Sequence, residues 1–481
     1  MTGLRYLSTR GQAPALDFAE TVIAGLAPDG GLYVPESFPQ FSAAEWRSLR
    51  GLPYAKVAEA VIGPFTGGLV APQTLAHILE EAYGTFAHQA VVPLRQLDSN
   101  LWLMELFHGP TLAFKDVALQ FLGRLLDHLL GQRGTRATVI GATSGDTGSA
   151  AIEACRDRAA IEIFILHPHN RTSAVQRRQM TTVTAPNVFN IALDGTFDDC
   201  QDAVKAMFAD APLREALNFS AVNSINWARI VAQTVYYVTS ALALGAPERK
   251  VSFAVPTGNF GNVYAAYVAK RMGLPIETLV IGSNRNDILT RFFTSGAMET
   301  EAVVPTLSPS MDIQISSNFE RYLFELFGRD AKRLAQAMQD FRTTGKLAVM
   351  GNELAAAREI FFAARCDDEH TSRRIREMHA DTGITVDPHT AVGLSAALDY
   401  ALAQPEKQAT PLVSLACAHP AKFPAAVEQA VGEHPALPPR LADLFEREER
   451  LAVLPNDLAR VKQYVSEKVA ERRAAHGRSA A

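Results

Sequence analysis

The chain has 481 residues, 48% of them hydrophobic and 20% charged, with a net charge of −5. That balance excludes a disordered chain, lacks the basic footprint of a nucleic-acid binder, and leaves room for two to three domains. Cys155, Cys200, Cys366 and Cys417 lie far apart with no C-x-x-C pair, which excludes a disulfide framework or zinc ribbon and suits a reducing cytosol.

Met1 to Gly11 is polar and lacks the apolar core of a signal peptide, and no run of eighteen apolar residues follows anywhere. Residues 1 to about 95 mix helix and turn signals, with Asp29-Gly30-Gly31 as turn chemistry before a short strand. From about Val91 short apolar runs alternate with longer helical stretches. Ala137–Thr143, Ile161–Leu166, Val188–Leu193, Val251–Val255, Thr278–Ile281 and Leu412–Cys417 read as buried strands, rich in β-branched residues and bounded by Gly, Pro or Asp. Phe114–Leu130, Asp199–Phe208, Ile225–Leu244 and Val263–Met272 read as helices. This alternation predicts an α/β fold with parallel sheets covered on both faces. From about Asn284 to Gly383 it is interrupted by an insertion, helical at Asn318–Leu326, Asp330–Phe341 and Glu353–Ala364. Leu437 onward reads as amphipathic helix broken by Pro438, Pro439 and Pro455.

Three segments carry chemistry. In Phe107–Asp116, F-H-G-P-T-L-A-F-K-D, Lys115 stands among Leu112, Ala113, Phe114 and Val117. Desolvation there would disfavour the ammonium and make the amine nucleophilic toward an aldehyde. The alternative is a lysine snorkelling from a helix end or paired with Asp116. Ala142–Gly148, A-T-S-G-D-T-G, follows a strand and opens a helix, presenting backbone N–H groups and hydroxyls to a carboxylate or phosphate, or forming only a capped turn. Pro256–Asn262, P-T-G-N-F-G-N, is placed alike; Gly258 and Gly261 let the backbone curl round an anion. Neither nucleotide-binding glycine pattern is present, which leaves another phosphate-bearing ligand or a turn that binds nothing. Together, a lysine for an aldehyde and two anion loops suit one cofactor with its substrate. His167 and His169 in H-P-H-N have spacing for a metal pair but read as a loop after a strand, and no metal is expected.

These segments, with S-T-R-G at Ser8–Gly11, G-L-A-P-D-G-G-L-Y-V-P at Gly25–Pro35, N-S-I-N-W-A-R at Asn223–Arg229 and A-H-P-A-K-F at Ala418–Phe423, run through nearly the whole chain. In this order they resemble the longer, bacterial and fungal type of threonine synthase, within the tryptophan-synthase-β-like pyridoxal-phosphate enzymes. The resemblance implies two doubly wound parallel-sheet domains, at 96–225 and 226–436, an N-terminal α+β domain at 1–95, and a C-terminal helical segment at 437–481. It implies pyridoxal 5'-phosphate held by Lys115 as a Schiff base, with Gly258, Asn259, Phe260, Gly261 and Asn262 round the cofactor phosphate. Thr143, Ser144, Gly145 and Thr147 match the loop facing the substrate carboxylate, with Asp146 toward the cofactor ring. Asn223, Ser224, Asn226 and Arg229 match the segment contacting the substrate phosphate. Where the family commonly has Thr facing the pyridine nitrogen this chain has Cys417, whose thiol is a poorer hydrogen-bond partner.

The implied activity is cytoplasmic conversion of O-phospho-L-homoserine and water to L-threonine and phosphate, with no nucleic-acid or membrane partner and the choice of monomer or homodimer open. The alternatives are a phospho-lyase or serine/threonine dehydratase of the same fold, or a non-catalytic relative that binds a phosphorylated metabolite.

Overall fold

The computed structural model describes residues 3–220 and 223–479; of the expected N-terminal, central and C-terminal segments, only 1–2, 221–222 and 480–481 lie outside it. The chain forms two compact units. One takes the chain up to Ala118 together with Ser224–Ala436, the other Leu119–Asn223 together with the chain from Leu437.

The first unit is built on a six-stranded sheet in the order Phe361–Arg365, Ile276–Ser283, Val251–Pro256, Leu412–Ala416, Leu101–Glu105, Leu94–Gln96. All neighbours are parallel except the last pair. Val251–Pro256 and Leu412–Ala416 are buried throughout, the expected pattern for parallel strands covered on both faces. The chain builds outward from Val251–Pro256 to Ile276–Ser283 and Phe361–Arg365, then returns to lay Leu412–Ala416 on the opposite side. That reversal of winding is where open α/β sheets bind ligands, beyond the carboxyl ends of the strands. A two-stranded ribbon, Tyr6–Ser8 with Tyr33–Pro35, also belongs to this unit.

The second unit has a five-stranded, wholly parallel sheet in the order Ala452–Pro455, Val188–Asp194, Ile161–Pro168, Ala137–Ala142, Phe219–Ser220. Its winding reverses beside Ala137–Ala142. Behind it Val461, Val465 and Val469, spaced to share one face of the helix Leu458–Ser479, are buried with Phe164, Leu166, Ile191 and Leu193.

All six predicted strands are present, and the α/β expectation holds. Four findings go beyond it. Phe361–Arg365, placed at the sequence level inside a helical insertion, is a sheet strand. It follows the helix Gly351–Ile360 with no intervening residue, so no breaker marked the change, and the helix expected to reach Ala364 stops at Ile360. Leu101–Glu105, expected within 96–225, pairs with Leu412–Ala416 in the first unit's sheet. Ala452–Pro455, expected as part of a helical tail, is an edge strand with alternating exposure. His167 lies inside the strand Ile161–Pro168, not in a loop after it.

Candidate functional site

In the first unit, three adjacent parallel strands release three of the chemical segments from their carboxyl ends. Pro256 leads into the glycine loop, Ala416 into Cys417, and Glu105 into the lysine segment. Strand order alone therefore brings together residues more than 300 positions apart.

The lysine segment and the A-H-P-A-K-F segment are zipped by their backbones. Phe114 N–H donates to the Cys417 carbonyl at 2.8 Å and His419 N–H to the Leu112 carbonyl at 3.0 Å, with a bridge between Ala113 and Ala418. Leu112 adopts a left-handed backbone, φ 65°, a conformation that non-glycine residues adopt at a cost and that concentrates at functional sites. Lys115 opens the helix Lys115–Gln132 and is 8% exposed, its Nζ 5.2 Å from the centre of the Phe114 ring. The neighbouring Asp116 carboxylate is fully buried and accepts from the Thr111 N–H at 2.8 Å and hydroxyl at 2.7 Å. Burial pushes its pKa up to about 6, against the opposing pull of Thr111 and the Lys422 ammonium. Lys422, also fully buried, donates to the Thr111 carbonyl at 2.6 Å. Sequence reading considered Asp116 as a partner for Lys115 and assigned nothing to Lys422; the Asp116 carboxylate is bonded to Thr111.

The glycine loop is supported from outside. Thr257 N–H donates to the Gly282 carbonyl at 2.8 Å. A Cβ on Gly258 would sit 3.0 Å from the Ser310 carbonyl oxygen and 3.2 Å from Met311 Cα, and one on Gly261 3.1 Å from Asn318 Nδ2. No side chain is tolerated at either position without displacement. Ser316 Oγ donates to the Gly258 carbonyl at 2.7 Å, and Asn318 N–H to the Asn259 carbonyl at 3.1 Å. Asn259 itself is exposed. Phe260 is left-handed at φ 59° and anchored by Phe319, 5.0 Å away centre to centre; its burial offsets the conformational cost. Asn262 Oδ1 accepts from both the Tyr236 and Tyr237 hydroxyls, while its Nδ2 is buried with no partner among the described residues. Gly261–Arg271 is a helix, so the loop also carries that helix's positive end.

Asn226 caps the helix Trp227–Ala243, accepting from Ala228 N–H at 3.0 Å, and donates to the Val22 carbonyl at 2.8 Å. Both groups of its amide are thereby engaged within the protein. Arg229 is 3% exposed, and its Nε and Nη1 have no partner among the described residues. Burial pulls its pKa down to about 10, so it remains cationic at neutral pH. A buried guanidinium without an anion is costly, and an anion beside it would relieve that cost. Ser224 is half-buried in the same unit. Cys417 is buried, its N–H donating to Thr390 Oγ1 at 3.0 Å.

In the second unit, Thr143 directly follows the strand Ala137–Ala142, and its Oγ1 accepts from the N–H groups of Gly145 at 3.0 Å and Gly148 at 2.9 Å. Those two donors shape the loop, and the Thr143 hydroxyl keeps its own proton for donation. Gly145, at φ 149°, has Gln176 packed where a Cβ would point. Gln176 Nε2 donates to Asp146 Oδ1 at 2.9 Å. Ser144 is exposed, Thr147 and Asn223 half-buried. His167 is buried, and burial lowers its pKa, whereas His169 pairs with Asp194 at 2.7 Å. Among the described residues no group of three or more His, Cys, Asp or Glu could hold a metal ion.

Sequence reading missed the supports: Asp387, His389 and Thr390, Ser310, Asn318 and Arg321. Asp387-Pro388 carries the local signature of a helix start, which says nothing of what the following histidine touches.

Family models match almost the entire chain: the threonine synthase N terminus at residues 5–83, pyridoxal-phosphate dependent enzyme at 85–418, and the threonine synthase C-terminal region at 390–465. The threonine synthase of Pseudomonas aeruginosa is 55% identical over 96% of this chain and 98% of its own length. The structure of a PLP-bound threonine synthase from Brucella melitensis has a TM-score of 0.95 at 53% identity, covering 97% of this chain and 99% of that one. The yeast threonine synthase structure has a TM-score of 0.92 at 40% identity over the same shares.

Proposed function

Because the chain belongs to the threonine synthase family, we propose that the geometry above serves the conversion of O-phospho-L-homoserine and water to L-threonine and phosphate with pyridoxal phosphate as cofactor. The single observation that carries the reading is the convergence of Lys115, the Gly258–Asn262 loop and Cys417 at the carboxyl ends of three neighbouring strands.

The residues suit the cofactor. Asn262 Nδ2 is a buried donor with no acceptor among the described residues, Gly258 and Gly261 leave their backbone uncovered by side chains of their own, and a helix begins there; each favours a phosphate. Lys115 would hold the aldehyde through its amine as a Schiff base, and Cys417 would face the ring. When bound, pyridoxal phosphate supplies an electron sink that stabilises negative charge at the substrate Cα.

The protein's part is binding, orientation and proton movement. Arg229 takes the substrate phosphate, whose charge relieves the buried guanidinium, with Asn223 and Ser224 beside it in sequence. Asn226, whose amide is already bonded within the fold, acts by capping the helix that carries Arg229. The segment Thr143–Thr147 takes the substrate carboxylate through hydroxyl and first-turn N–H donors. The Lys115 amine is the base that moves the proton at Cα. Across the reaction one Cβ–H bond and the Cγ–O bond to phosphate break, Cγ gains a proton, and water adds its hydroxyl at Cβ while its remaining proton balances the departing phosphate. No helix among the described residues is long and apolar enough to cross a membrane. Four buried cysteines, none of them in a disulfide, support a cytoplasmic location.

The test is an assay of the purified protein with O-phospho-L-homoserine, following phosphate and amino-acid product together. Equimolar phosphate and threonine are expected; phosphate with 2-oxobutyrate in place of threonine would assign a phospho-lyase instead.

A further inference from the structure

The helix Pro388–Ala403 begins with D-P-H-T, and its cap does more than start a helix. Asp387 is fully buried; Oδ2 accepts from the His389 backbone N–H at 2.9 Å and Oδ1 from that of Thr390 at 3.3 Å. Capping needs only these bonds. The His389 ring, 4% exposed, adds two more. Its Nε2 accepts the backbone N–H of Ser310 at 3.2 Å, from 79 residues away. Because a backbone amide can only donate, Nε2 carries no proton, and Nδ1 is the N–H that donates to Asp387 Oδ2 at 2.8 Å. The ring is further fixed by Phe423, 4.8 Å away centre to centre.

Both ends of this chain of bonds reach the candidate site. Ser310 and Met311 form the wall directly behind Gly258. At the other end Asp387 Oδ1 accepts the Thr390 hydroxyl and the Ala418 N–H at 3.4 Å, and Thr390 Oγ1 accepts the Cys417 N–H at 3.0 Å. One buried histidine thus links the back of the glycine loop to the end of the strand Leu412–Ala416.

We propose that His389, neutral and protonated on Nδ1, is a positioning residue that sets the Ser310–Met311 turn against Gly258 and so fixes the donors round the cofactor phosphate. The proposal rests on the reading of Gly258–Asn262 as the cofactor phosphate loop. It assigns His389 a role toward the phosphate, not toward the aldehyde or ring.

Two substitutions separate the two bonds. His389→Asn keeps a donor for Asp387 but has no acceptor within reach of Ser310. His389→Gln places an acceptor where Nε2 was and gives up the bond to Asp387. Cofactor-stripped wild type and variants are titrated with pyridoxal 5'-phosphate and with pyridoxal, and the dissociation constants compared. H389N is expected to bind pyridoxal phosphate about tenfold more weakly, with pyridoxal unchanged, while H389Q stays within about threefold of wild type for both. Equal weakening of both ligands in H389N, or loss of the preference for pyridoxal phosphate in H389Q, overturns the proposal. If H389N shows no cooperative melting transition, H389Q decides alone: a retained preference supports the role and a lost one refutes it. A wild type with no preference for the phosphorylated form would show instead that the loop assignment itself fails.

Discussion

The turn that carries Lys115 is held by its neighbours, through a backbone bond of Phe114 and the side chain of Asp116. Phe114 N–H is bonded to Cys417, and Asp116 to Thr111. Lys115→Ala is therefore expected to abolish turnover and the visible absorbance of bound cofactor while leaving the melting temperature of the stripped protein within a few degrees. Lys422 is the informative control, being buried but already donating to Thr111. Borohydride trapping of cofactor on Lys422, or turnover in the Ala variant, would contradict the assignment. Arg229 presents the opposite balance, because its buried, unpartnered Nε and Nη1 cost stability until an anion arrives. Arg229→Met should raise or preserve the stability of the substrate-free protein. Its kcat/KM for O-phosphohomoserine should fall by about 1.5–3 kcal/mol in transition-state terms, and much less for O-acetylhomoserine. A lower melting temperature together with equal losses on both substrates would make Arg229 structural. Asp116 supplies a pH dependence. Its folded pKa is raised by burial to about 6, above the ordinary value near 4, so the unfolded chain releases the proton first as pH rises. Stability from this group is intact below about pH 4 and falls by roughly 2–3 kcal/mol as pH climbs to about 6. Asn has no proton to lose, so the difference in unfolding free energy between wild type and Asp116→Asn should shrink over that window; a constant difference would mean Asp116 is not so perturbed.

At the scale of elements, the helix Phe319–Leu326 shows what the segment from Asn284 to Gly383 does. Ser316 and Asn318 hold the glycine loop, and Arg321 gathers three chain segments. Its Nε and Nη2 each donate to the Tyr33 carbonyl at 3.0 Å, Nη2 to the Ile225 carbonyl at 2.6 Å, and Nη1 to Asn318 Oδ1. Glu320 beside it accepts from Thr9 and pairs with Arg10 at 2.8 Å. The S-T-R-G, G-L-Y-V-P, N-S-I-N-W-A-R and P-T-G-N-F-G-N segments are therefore tied through one short helix. Arg321→Met leaves buried acceptors at Tyr33, Ile225 and Asn318 unmet and is expected to cost about 3–5 kcal/mol in urea unfolding, with weaker cofactor retention. A loss under about 1 kcal/mol would show that these bonds are replaceable. The helical character of this segment was legible from its apolar periodicity. Its role was not, since Arg321 in a helix reads as an ordinary surface cation until its partners, 96 and 288 residues away, are known.

Across the whole molecule, each unit is assembled from separated stretches of chain. The second unit's sheet is completed by Ala452–Pro455 against Val188–Asp194 and covered by Val461, Val465 and Val469. Val465→Asp places an unpaired carboxylate in that core, and more than about 3 kcal/mol of destabilisation is expected. Hydrogen exchange should then accelerate in Ile161–Pro168 and Val188–Asp194 while Val251–Pro256 keeps its protection. Uniform acceleration would mean the two units unfold as one. What the sequence by itself determined is what short stretches encode. Glycines and hydroxyls at Thr143–Gly148 and Pro256–Asn262, a lysine among apolar neighbours, and β-branched runs before each loop all act within a few residues. Tertiary structure alone decided which strand ends are neighbours, and with them the bonds of Cys417 to Phe114, Lys422 to Thr111 and His389 to Ser310. It also decided that Phe361–Arg365 is a strand, because a helix running straight into an edge strand leaves no local mark, and only pairing with Ile276–Ser283 satisfies its backbone.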